Sequence, residues 1–391
     1  MTVEKKTFKG YERPDGTFGT RNFIGVISTV VCANEVSKRI SSAKRGIKYF
    51  VHGQGCAQVS TDLKVVEKTL SSLGQNPNLA AVILVGLGCE SVDIQKIADE
   101  ISHSNKPVET IVIQEVGGAK RAVELGKKIS SRLYDEYSMM KRKDTDITNL
   151  VLGLKCGGSD TTSGITANPA LGVVVDQLID LGATCVFGET TEFIGAEEHL
   201  AARGRTPELK DLILKTILNI EGRAKATGVD MRGGQPTQGN IKGGLSTIEE
   251  KSLGAAIKTG SRKIDGVLQY GERISGKGLF FVDSPGREPE LLTALAAAGA
   301  TTIAFTTGRG APQGFPFVPT VKITGNPKTA KMLADHIDID VSGILSSELD
   351  LNDAAHIIVK ELFAVASGKA VKAEKLRYEE AMNIYITGPV I

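Results

Sequence analysis

The architecture is clearest in residues 80–114, which read AAVILVGLGCESVDIQKIADEISHSNKPVETIVIQ. Residues 80–86 form a continuous apolar run rich in β-branched side chains, and a second strand-like run spans 108–114. Between them, residues 91–104 have apolar side chains at the spacing of an amphipathic helix. Apolar strands that alternate with helices are typical of a parallel sheet covered by helices. This stretch therefore predicts a strand–helix–strand unit.

The same unit repeats toward both ends of the chain. Further strands are predicted at 22–28, 47–52, 149–155, 183–188, 277–286, 301–306 and 321–325, and further helices at 33–45, 60–73, 119–133, 168–181, 194–224, 288–298 and 351–367. The polar segment 134–149 predicts a linker. We therefore predict an α/β fold made of two Rossmann-like lobes with parallel sheets and flanking helices. Residues 1–140 would form the first α/β domain, and residues 150–391 the second, which carries Gly-rich active-site loops.

Composition narrows the classes of function. The chain has 391 residues and a net charge of +2, so we expect no nucleic-acid partner. No apolar run reaches the ~18 residues that a membrane span requires, so we expect no membrane association. The five cysteines are widely spaced and odd in number, which favours reduced thiols in the cytoplasm over a disulfide framework. The glycine motifs of dinucleotide and P-loop sites are absent, so a nucleotide site is not predicted.

Residues that carry chemistry are concentrated where predicted strands end. In open parallel sheets, ligands bind outside the carboxyl ends of the strands. Glycines at these ends let backbone N–H groups approach an anionic ligand. The strand-end sequences are His52-Gly53-Gln54-Gly55-Cys56, Gly86-Leu87-Gly88-Cys89-Glu90, Cys156-Gly157-Gly158-Ser159-Asp160, Glu189-Thr190-Thr191-Glu192 and Thr307-Gly308-Arg309-Gly310. We predict that they build one composite site.

Three of these strand ends carry a thiol. Cys56, Cys89 and Cys156 suit an iron–sulfur cluster with one open iron, or a soft metal ion. No C-x-x-C pair occurs, however, and small cysteine side chains also fit tight glycine loops without binding anything. Glu189 and Glu192 are further candidate metal ligands, because two carboxylates follow one strand closely.

Other side chains suit substrate binding and proton transfer. Arg309, between two glycines, can pair with a carboxylate through two parallel hydrogen bonds, although an ordinary turn also accommodates an arginine. Arg21 is a second candidate for the same role. The remaining candidate substrate-binding residues are Gly157, Gly158, Ser159, Asp160 and Asn240. His52, Lys155 and Lys242 are all candidates for the catalytic base, and the residues alone do not choose among them.

Ten stretches in order along the chain resemble the altronate/galactarate dehydratases, together with the related large subunit of sulfolactate sulfo-lyase. They are GYERPDGTFGTRN (10–22), HGQGC (52–56), NPNLAAVILVGLGCE (76–90), IQEVGG (113–118), KCGGSDTTSGITANPALG (155–172), GETTEFIGAE (188–197), GNIKGGLSTIEEKSLGA (239–255), FFVDSPG (280–286), FTTGRG (305–310) and DIDVSGIL (338–345). They span residues 10–345, which is nearly the whole chain. Several are long and chemically unusual, so chance does not explain the resemblance.

The resemblance implies a lyase that acts on a hydroxy acid. A proton would leave the carbon beside a carboxylate, and a β-leaving group would follow. That group is hydroxide in the dehydration of a sugar acid such as altronate to a 2-keto-3-deoxy acid. It is sulfite if the substrate is (2R)-sulfolactate, which yields pyruvate. A non-catalytic subunit that binds a sugar acid is the remaining alternative.

The resemblance also implies iron and a partner. The iron would be either Fe2+ held by His52 and carboxylates or an iron–sulfur cluster on Cys56, Cys89 and Cys156. Full-length dehydratases of this family carry an additional small N-terminal domain of the SAF type, whereas this chain starts close to the GYERPDG motif. We therefore expect the large subunit of a two-part enzyme, with a separate small SAF-domain subunit, in an oligomer.

Overall fold

The computed structural model describes residues 7–391, so the first six residues of the predicted first domain lie outside the described range. The strands are β1 (Thr7–Glu12), β2 (Phe18–Gly19), β3 (Phe23–Ser28), β4 (Ile47–Phe50), β5 (Leu79–Gly86), β6 (Val108–Val112), β7 (Lys143–Asp146), β8 (Val151–Cys156), β9 (Thr184–Phe187), β10 (Ile264–Leu268), β11 (Gly278–Val282), β12 (Thr302–Thr306), β13 (Thr320–Thr324) and β14 (Ile339–Asp340). The α-helices are α1 (Asn34–Ser41), α2 (Ser60–Gly74), α3 (Ile94–Ser102), α4 (Ala119–Tyr137), α5 (Thr161–Ile165), α6 (Ala167–Asp180), α7 (Glu197–Ala201), α8 (Pro207–Ala226), α9 (Gln238–Lys242), α10 (Ile248–Ala256), α11 (Glu288–Ala298), α12 (Pro327–Met332), α13 (Leu351–Ala366) and α14 (Lys372–Leu376).

The predicted α/β fold is confirmed. A four-stranded sheet of order β4-β3-β5-β6 and a seven-stranded sheet of order β10-β11-β9-β8-β12-β13-β14 are both parallel throughout. We call residues 23–137, built on the first of these sheets, the first lobe, and residues 151–376, built on the second, the second lobe. β5 is buried over its whole length, because helices pack against it and its neighbouring strands from both sides.

A third, antiparallel sheet of order β2-β1-β7 corrects the predicted linker. The helix α4 continues to Tyr137, and β7 lies within 134–149 and pairs with β1. The sequence KDTD of β7 has no apolar run that would indicate a strand. The strand β1 places Phe8 in the core of the second lobe, and the facing residue of β7 is Thr145.

The hydrophobic core does not stop at the boundary between the lobes. One continuous cluster joins Ile27 and Val82 of the first lobe to Val186 and Leu291 of the second. The segment 379–391 also returns to the first lobe, where the Met382 sulfur contacts the backbone N–H of Val51.

No helix within residues 7–391 is both long and apolar enough to cross a bilayer.

A buried amide fixes the two lobes to each other. The Asn78 side chain accepts hydrogen bonds from the backbone N–H groups of Thr20 (2.8 Å) and Arg21 (3.2 Å). It donates to the carbonyls of Thr301 (3.0 Å) and Phe317 (2.8 Å). The motif NPN at 76–78 therefore serves inter-lobe packing.

We expect Asn78→Ala to lower the free energy of unfolding by about 3 kcal/mol or more, because it leaves several buried backbone groups without partners. Urea denaturation followed by circular dichroism measures this. The matched control is Asn352→Ala, at an exposed position of α13, which should change stability by less than about 0.5 kcal/mol. Equal effects of the two substitutions would contradict the assigned role.

Candidate active site

A cleft of about 750 Å³ opens at the carboxyl ends of the second-lobe strands. Its walls come from the loops after β8, β11 and β12 and from the segment around α9. Eight of the predicted site residues line it: Lys155, Cys156, Gly157, Gly158, Ser159, Glu192, Asn240 and Arg309. The structure thus brings together residues that are up to 154 positions apart in the sequence, from Lys155 to Arg309.

A buried carboxylate lies between two buried lysines, one of which, Lys155, lines the cleft. Lys155 Nζ lies 2.6 Å from one oxygen of Glu189, and Lys258 Nζ lies 2.8 Å from the other. Burial would raise the pKa of Glu189, but the two lysines outweigh burial and lower it. Burial likewise opposes the charge of Lys155, but Glu189 and Glu288 outweigh it and raise the pKa of Lys155. Both groups therefore stay charged at neutral pH.

A second carboxylate, that of Glu288, lies near Lys155 on the side that faces the cleft. Lys155 Nζ donates to the carbonyl of Gly286 at 2.7 Å and lies 3.9 Å from Glu288 Oε1. A Cβ atom at Gly157 would lie 2.7 Å from that same Glu288 oxygen and 2.8 Å from the Phe305 ring. A side chain at position 157 would therefore displace the Glu288 carboxylate and press on the Phe305 ring.

Arg309 and Asn240 join two walls of the cleft. Arg309 donates from its guanidinium to the carbonyl of Gly239 at 2.6 Å and from its backbone N–H to the carbonyl of Gly158 at 3.0 Å. The Asn240 amide donates to the carbonyl of Ser159 at 3.0 Å. These bonds hold α9 against the loop after β8 and place the Arg309 guanidinium at the rim.

The carboxylate of Asp160 has a structural role, which corrects its predicted contact with substrate. One of its oxygens caps α5 by accepting hydrogen bonds from Thr162 Oγ1 (2.6 Å) and the Ser163 backbone N–H (3.0 Å). The other accepts from the Asn326 amide at 2.8 Å. Asp160 is buried and does not line the cleft. It fixes the shape of the loop rather than a ligand.

Comparison with known proteins places this chain in a family. Residues 147–388 match the model of the D-galactarate/altronate dehydratase C-terminal domain, and residues 10–138 match that of the second domain of D-galactarate dehydratase/altronate hydrolase. The chain belongs to the galactarate/altronate dehydratase family. The predicted resemblance is therefore confirmed.

Three curated relatives show how far the similarity extends. The (2R)-sulfolactate sulfo-lyase subunit beta of Chromohalobacter salexigens is 37% identical over 97% of this chain and 97% of its own length. The altronate dehydratase of Bacillus subtilis is 32% identical over 96% of this chain and 77% of its own length. The altronate dehydratase of Escherichia coli is 31% identical over 95% of this chain and 76% of its own length. Carbon–oxygen and carbon–sulfur lyases both occur among these dehydratase-family relatives.

Lys322 was missed by the sequence analysis of this dehydratase-family chain. It lies in β13, opposite Phe305 of β12, which in turn lies opposite Lys155 of β8. The ammonium groups of Lys155 and Lys322 lie 5.7 and 4.4 Å from the centre of the Phe305 ring. Lys322 Nζ also donates to the carbonyl of Gln313. The sequence feature that could have revealed Lys322 is a charged residue at the centre of the otherwise uncharged strand TVKIT.

We expect the stability of the protein to depend on pH through Lys322. Burial lowers the pKa of Lys322 to about 7, against roughly 10.4 for an unfolded lysine. Below pH 7 both states bind the proton, and the cost of burying the ammonium is fully present. Between about pH 7 and 10 the unfolded chain binds more protons, so this cost is relieved as the pH rises.

The measurement is urea denaturation of the wild type and of Lys322→Met at several pH values. The stability of the wild type relative to Lys322→Met should increase from pH 7 to pH 9.5. Lys360→Met, at an exposed position of α13, is the matched control and should leave the pH dependence unchanged. A constant difference between wild type and Lys322→Met across this range would contradict the expectation.

Two predicted site residues lie elsewhere and are structural. Arg21 precedes β3, at the amino end of the sheet, where its guanidinium pairs with Glu374 at 2.7 Å and donates to the carbonyls of Val365 and Lys369, both at 2.9 Å. It is buried and does not line the cleft. His52 is buried in the first lobe, and both ring nitrogens are hydrogen bonded, to the Ser28 carbonyl (2.9 Å) and the Gln54 N–H (3.1 Å).

The environment of His52 also decides its charge. Burial lowers the pKa of His52 to about 4, so the ring is neutral at physiological pH. Lys242, the third candidate base, is exposed at the end of α9 and does not line the cleft. Of the three candidates, only Lys155 is in the cleft, and its charge makes it a cation rather than a base.

The predicted metal ligands are not assembled around one point. Cys156 is buried, with its Sγ 3.0 Å from Ser159 Oγ, whereas Cys56 and Cys89 are exposed on the first lobe. Glu189 is paired with lysines, and Glu192 lies 3.1 Å from Lys251. Within residues 7–391, no three His, Cys, Asp or Glu side chains stand together as ligands of a single metal ion. The donor set predicted from sequence thus does not fit, and iron itself stays a prediction.

Proposed function

We propose that the chain is a lyase that dehydrates a sugar acid such as altronate to a 2-keto-3-deoxy acid in the second-lobe cleft. The observation that carries the proposal is the pairing of a buried, protonated Lys155 with the Glu288 carboxylate at the cleft wall. A β-elimination needs both a base for the α-proton and a cation for the charge that develops on the substrate carboxylate. Membership of the dehydratase family supports the same reaction class.

Lys155 supplies the cation in this proposal. Glu189, whose other oxygen pairs with Lys258, holds Lys155 in place from the buried side, so the Lys155 ammonium is fixed before substrate binds. Such a preorganised charge stabilises an enolate-like state without rearrangement at the moment of reaction. Because Lys155 remains protonated, it is unsuited to accept the α-proton.

Glu288 is the proposed base. Its carboxylate is partly exposed to the cleft, while its distance of 3.9 Å from Lys155 Nζ places it beside the proposed substrate carboxylate. It would take the proton from the carbon next to that carboxylate. The electrons of the broken C–H bond form the C=C bond, and the β-hydroxyl leaves as water with the proton that Glu288 has taken up. The resulting enol rearranges to the 2-keto-3-deoxy acid.

The rim of the cleft suits a polyhydroxy anion. Arg309 and Arg287 bring positive charge to it, and Ser159, Thr191 and Asn240 bring hydroxyl and amide groups. The backbone at Gly158 adopts a positive φ of 59°, which turns this glycine loop tightly at the cleft. A second carboxylate or hydroxyl groups of the substrate would bind here.

A second candidate function is sulfite release from (2R)-sulfolactate. The observation that favours it is the match to the sulfo-lyase subunit beta, which spans 97% of both chains. The altronate dehydratases are longer, since this chain covers only 77% and 76% of them. We also propose a separate small subunit of the SAF type as partner, within a larger oligomer, because the name of the sulfo-lyase relative, subunit beta, is that of one part of a multi-subunit enzyme. The non-catalytic binding subunit is the third candidate.

One set of assays separates these candidates. The purified chain, alone and with a co-expressed small subunit, is incubated anaerobically with altronate, galactarate or (2R)-sulfolactate in deuterated water. A 2-keto-3-deoxy acid supports the dehydratase, and pyruvate with sulfite supports the sulfo-lyase. Saturable binding of the acid without product and without exchange of its α-proton indicates the binding subunit. Product that is formed equally well by Lys155→Met overturns the proposed site.

A further inference from the structure

The Arg287 guanidinium at the rim of the cleft pairs with a carboxylate on the first turn of α11. Arg287 stands directly before this helix, and its side chain is 68% exposed. Its Nε lies 3.1 Å from Glu290 Oε2, three residues later, and this oxygen accepts no aligned hydrogen bond from any group within residues 7–391. The contact is therefore an ion pair that attracts the guanidinium and leaves its N–H groups available to a ligand.

The Glu290 carboxylate is buried, although the arginine that it pairs with is exposed. Its side chain is only 7% exposed, and its other oxygen, Oε1, accepts a hydrogen bond from the Asn383 amide at 3.0 Å. A buried carboxylate is costly unless charges or hydrogen bonds compensate it. The Asn383 amide and the Arg287 guanidinium supply this compensation, one at each oxygen. Glu290 is thus a fixed negative charge beside a long and flexible side chain.

Asn383 belongs to the C-terminal segment that returns to the first lobe. Its neighbours Met382 and Ile384 are buried in the hydrophobic cluster that the two lobes share. The buried Tyr270 hydroxyl donates to the Glu290 carbonyl at 2.7 Å and lies 3.4 Å from the Asn383 carbonyl. The segment is therefore anchored on both sides of Asn383 and against α11, which fixes the position of the amide.

These contacts connect the C-terminal segment to the rim of the cleft. The segment fixes Asn383, Asn383 fixes the Glu290 carboxylate, and this carboxylate restrains the guanidinium of Arg287. We infer that Glu290 and Asn383 are positioning residues, which hold Arg287 ready for a second anionic group on the substrate. The inference rests on the proposed function, in which Lys155 binds the carboxylate next to the reacting carbon.

The place of Arg287 in the cleft determines which part of a substrate it contacts. Arg287 directly precedes the proposed base Glu288, but it is exposed at the rim, whereas the Lys155 side chain is 2% exposed. A guanidinium pairs well with a carboxylate. A free arginine loses rotamer entropy when it binds a ligand, and an arginine that is already held loses less. Positioning of Arg287 should therefore strengthen the binding of acids with two anionic groups and have little effect on kcat.

Binding of two acids that differ in charge tests the inference. Galactarate has two carboxylates and altronate has one, and isothermal titration calorimetry measures both on the full chain, prepared as for the product assays, with Glu288→Gln to prevent turnover. Asn383→Ala and Glu290→Gln should each weaken galactarate binding by about three- to tenfold and altronate binding by less than about twofold. Arg287→Met should weaken galactarate binding by about tenfold or more. Thr387→Ala, at an exposed position of the same segment, is the matched control and should leave both affinities unchanged.

A double-mutant cycle separates positioning from a general effect on the fold. In a chain that carries Arg287→Met, neither Asn383→Ala nor Glu290→Gln should weaken galactarate binding further, because the guanidinium through which they act is gone. Glu290→Gln keeps the shape of the side chain and an oxygen for the Asn383 amide, so it tests the charge even if Asn383→Ala folds poorly. Circular dichroism and the melting temperature report on the fold of each variant.

Several outcomes overturn the inference. Unchanged galactarate affinity in Glu290→Gln, or losses that simply add to that of Arg287→Met, would show that Glu290 does not act through the arginine. Equal losses for the two acids would indicate a general change in the cleft, and binding of altronate alone would show that no second charge is recognised. These results leave the proposed function intact. Absence of binding of both acids also overturns the inference, and, if no acid yields product in the assays above, it overturns the proposed function as well.

Discussion

Lys155→Met should lower kcat/KM of the proposed lyase by about 10³-fold or more, with most of the loss in kcat. The substitution removes the fixed positive charge that faces the developing enolate. Glu189 keeps Lys258 as a partner at 2.8 Å, so we expect the variant to fold, with a lower melting temperature. Steady-state kinetics on the substrate identified by the product assays measures the effect, and circular dichroism confirms the fold.

The control for this experiment is Lys242→Met. Lys242 was also a candidate base, but it is exposed and lies outside the cleft wall, so its substitution should leave kcat within about twofold of the wild type. Comparable losses in both variants would mean that the cleft has been misassigned. Retention of activity in Lys155→Met would show that the charge of this lysine serves stability alone.

Glu288→Gln should lower kcat by about 10²- to 10⁴-fold and change KM little. Glutamine has nearly the same shape and fits against Gly157, but it cannot accept the α-proton. Exchange of that proton with deuterated solvent reports on the step directly, because it requires the base but not departure of the leaving group. We expect the exchange to be lost in Glu288→Gln together with product formation.

Glu192→Gln is the matched control, since Glu192 lies in the same cleft and pairs with Lys251 at 3.1 Å. It should weaken substrate binding by at most about tenfold and leave proton exchange intact. If Glu288→Gln retained exchange while product formation stopped, Glu288 would act on the leaving group instead. If Glu192→Gln alone lost exchange, the base would be Glu192.

The sequence predicted the parallel sheets well, because their strands are continuous apolar runs such as AAVILVG. It failed where strands are short or polar. The sequence KDTD of β7 has no hydrophobic pattern, and its strand forms only through pairing with β1. Similarly, β10 reads IDGVL and was not predicted, because a charged residue and a glycine interrupt the run. Tertiary pairing, which sequence periodicity does not encode, decides such strands.

For the site, the position of residues at strand ends predicted the cleft wall, and Gly157, Gly158 and Arg309 all line it. The same reasoning did not tell which sheet each strand joins, so Cys56 and Cys156 were assigned to one site although they lie in different lobes. Arg21 was misplaced because it stands before its strand rather than after it. Lys258 and Lys322 were missed, since burial of a single lysine cannot be read from its neighbours in sequence.

The return of residues 379–391 to the first lobe has a consequence for biosynthesis. Lys48 at β4 pairs with Glu379, and the Asp62 carboxylate accepts from the backbone N–H groups of Thr387 (3.3 Å) and Gly388 (2.8 Å). The lobe made first on the ribosome therefore lacks part of its surface until the segment made more than 300 residues later has emerged. We expect nascent chains arrested before this segment to be more sensitive to protease in the first lobe than released chains, which a limited-proteolysis comparison can measure.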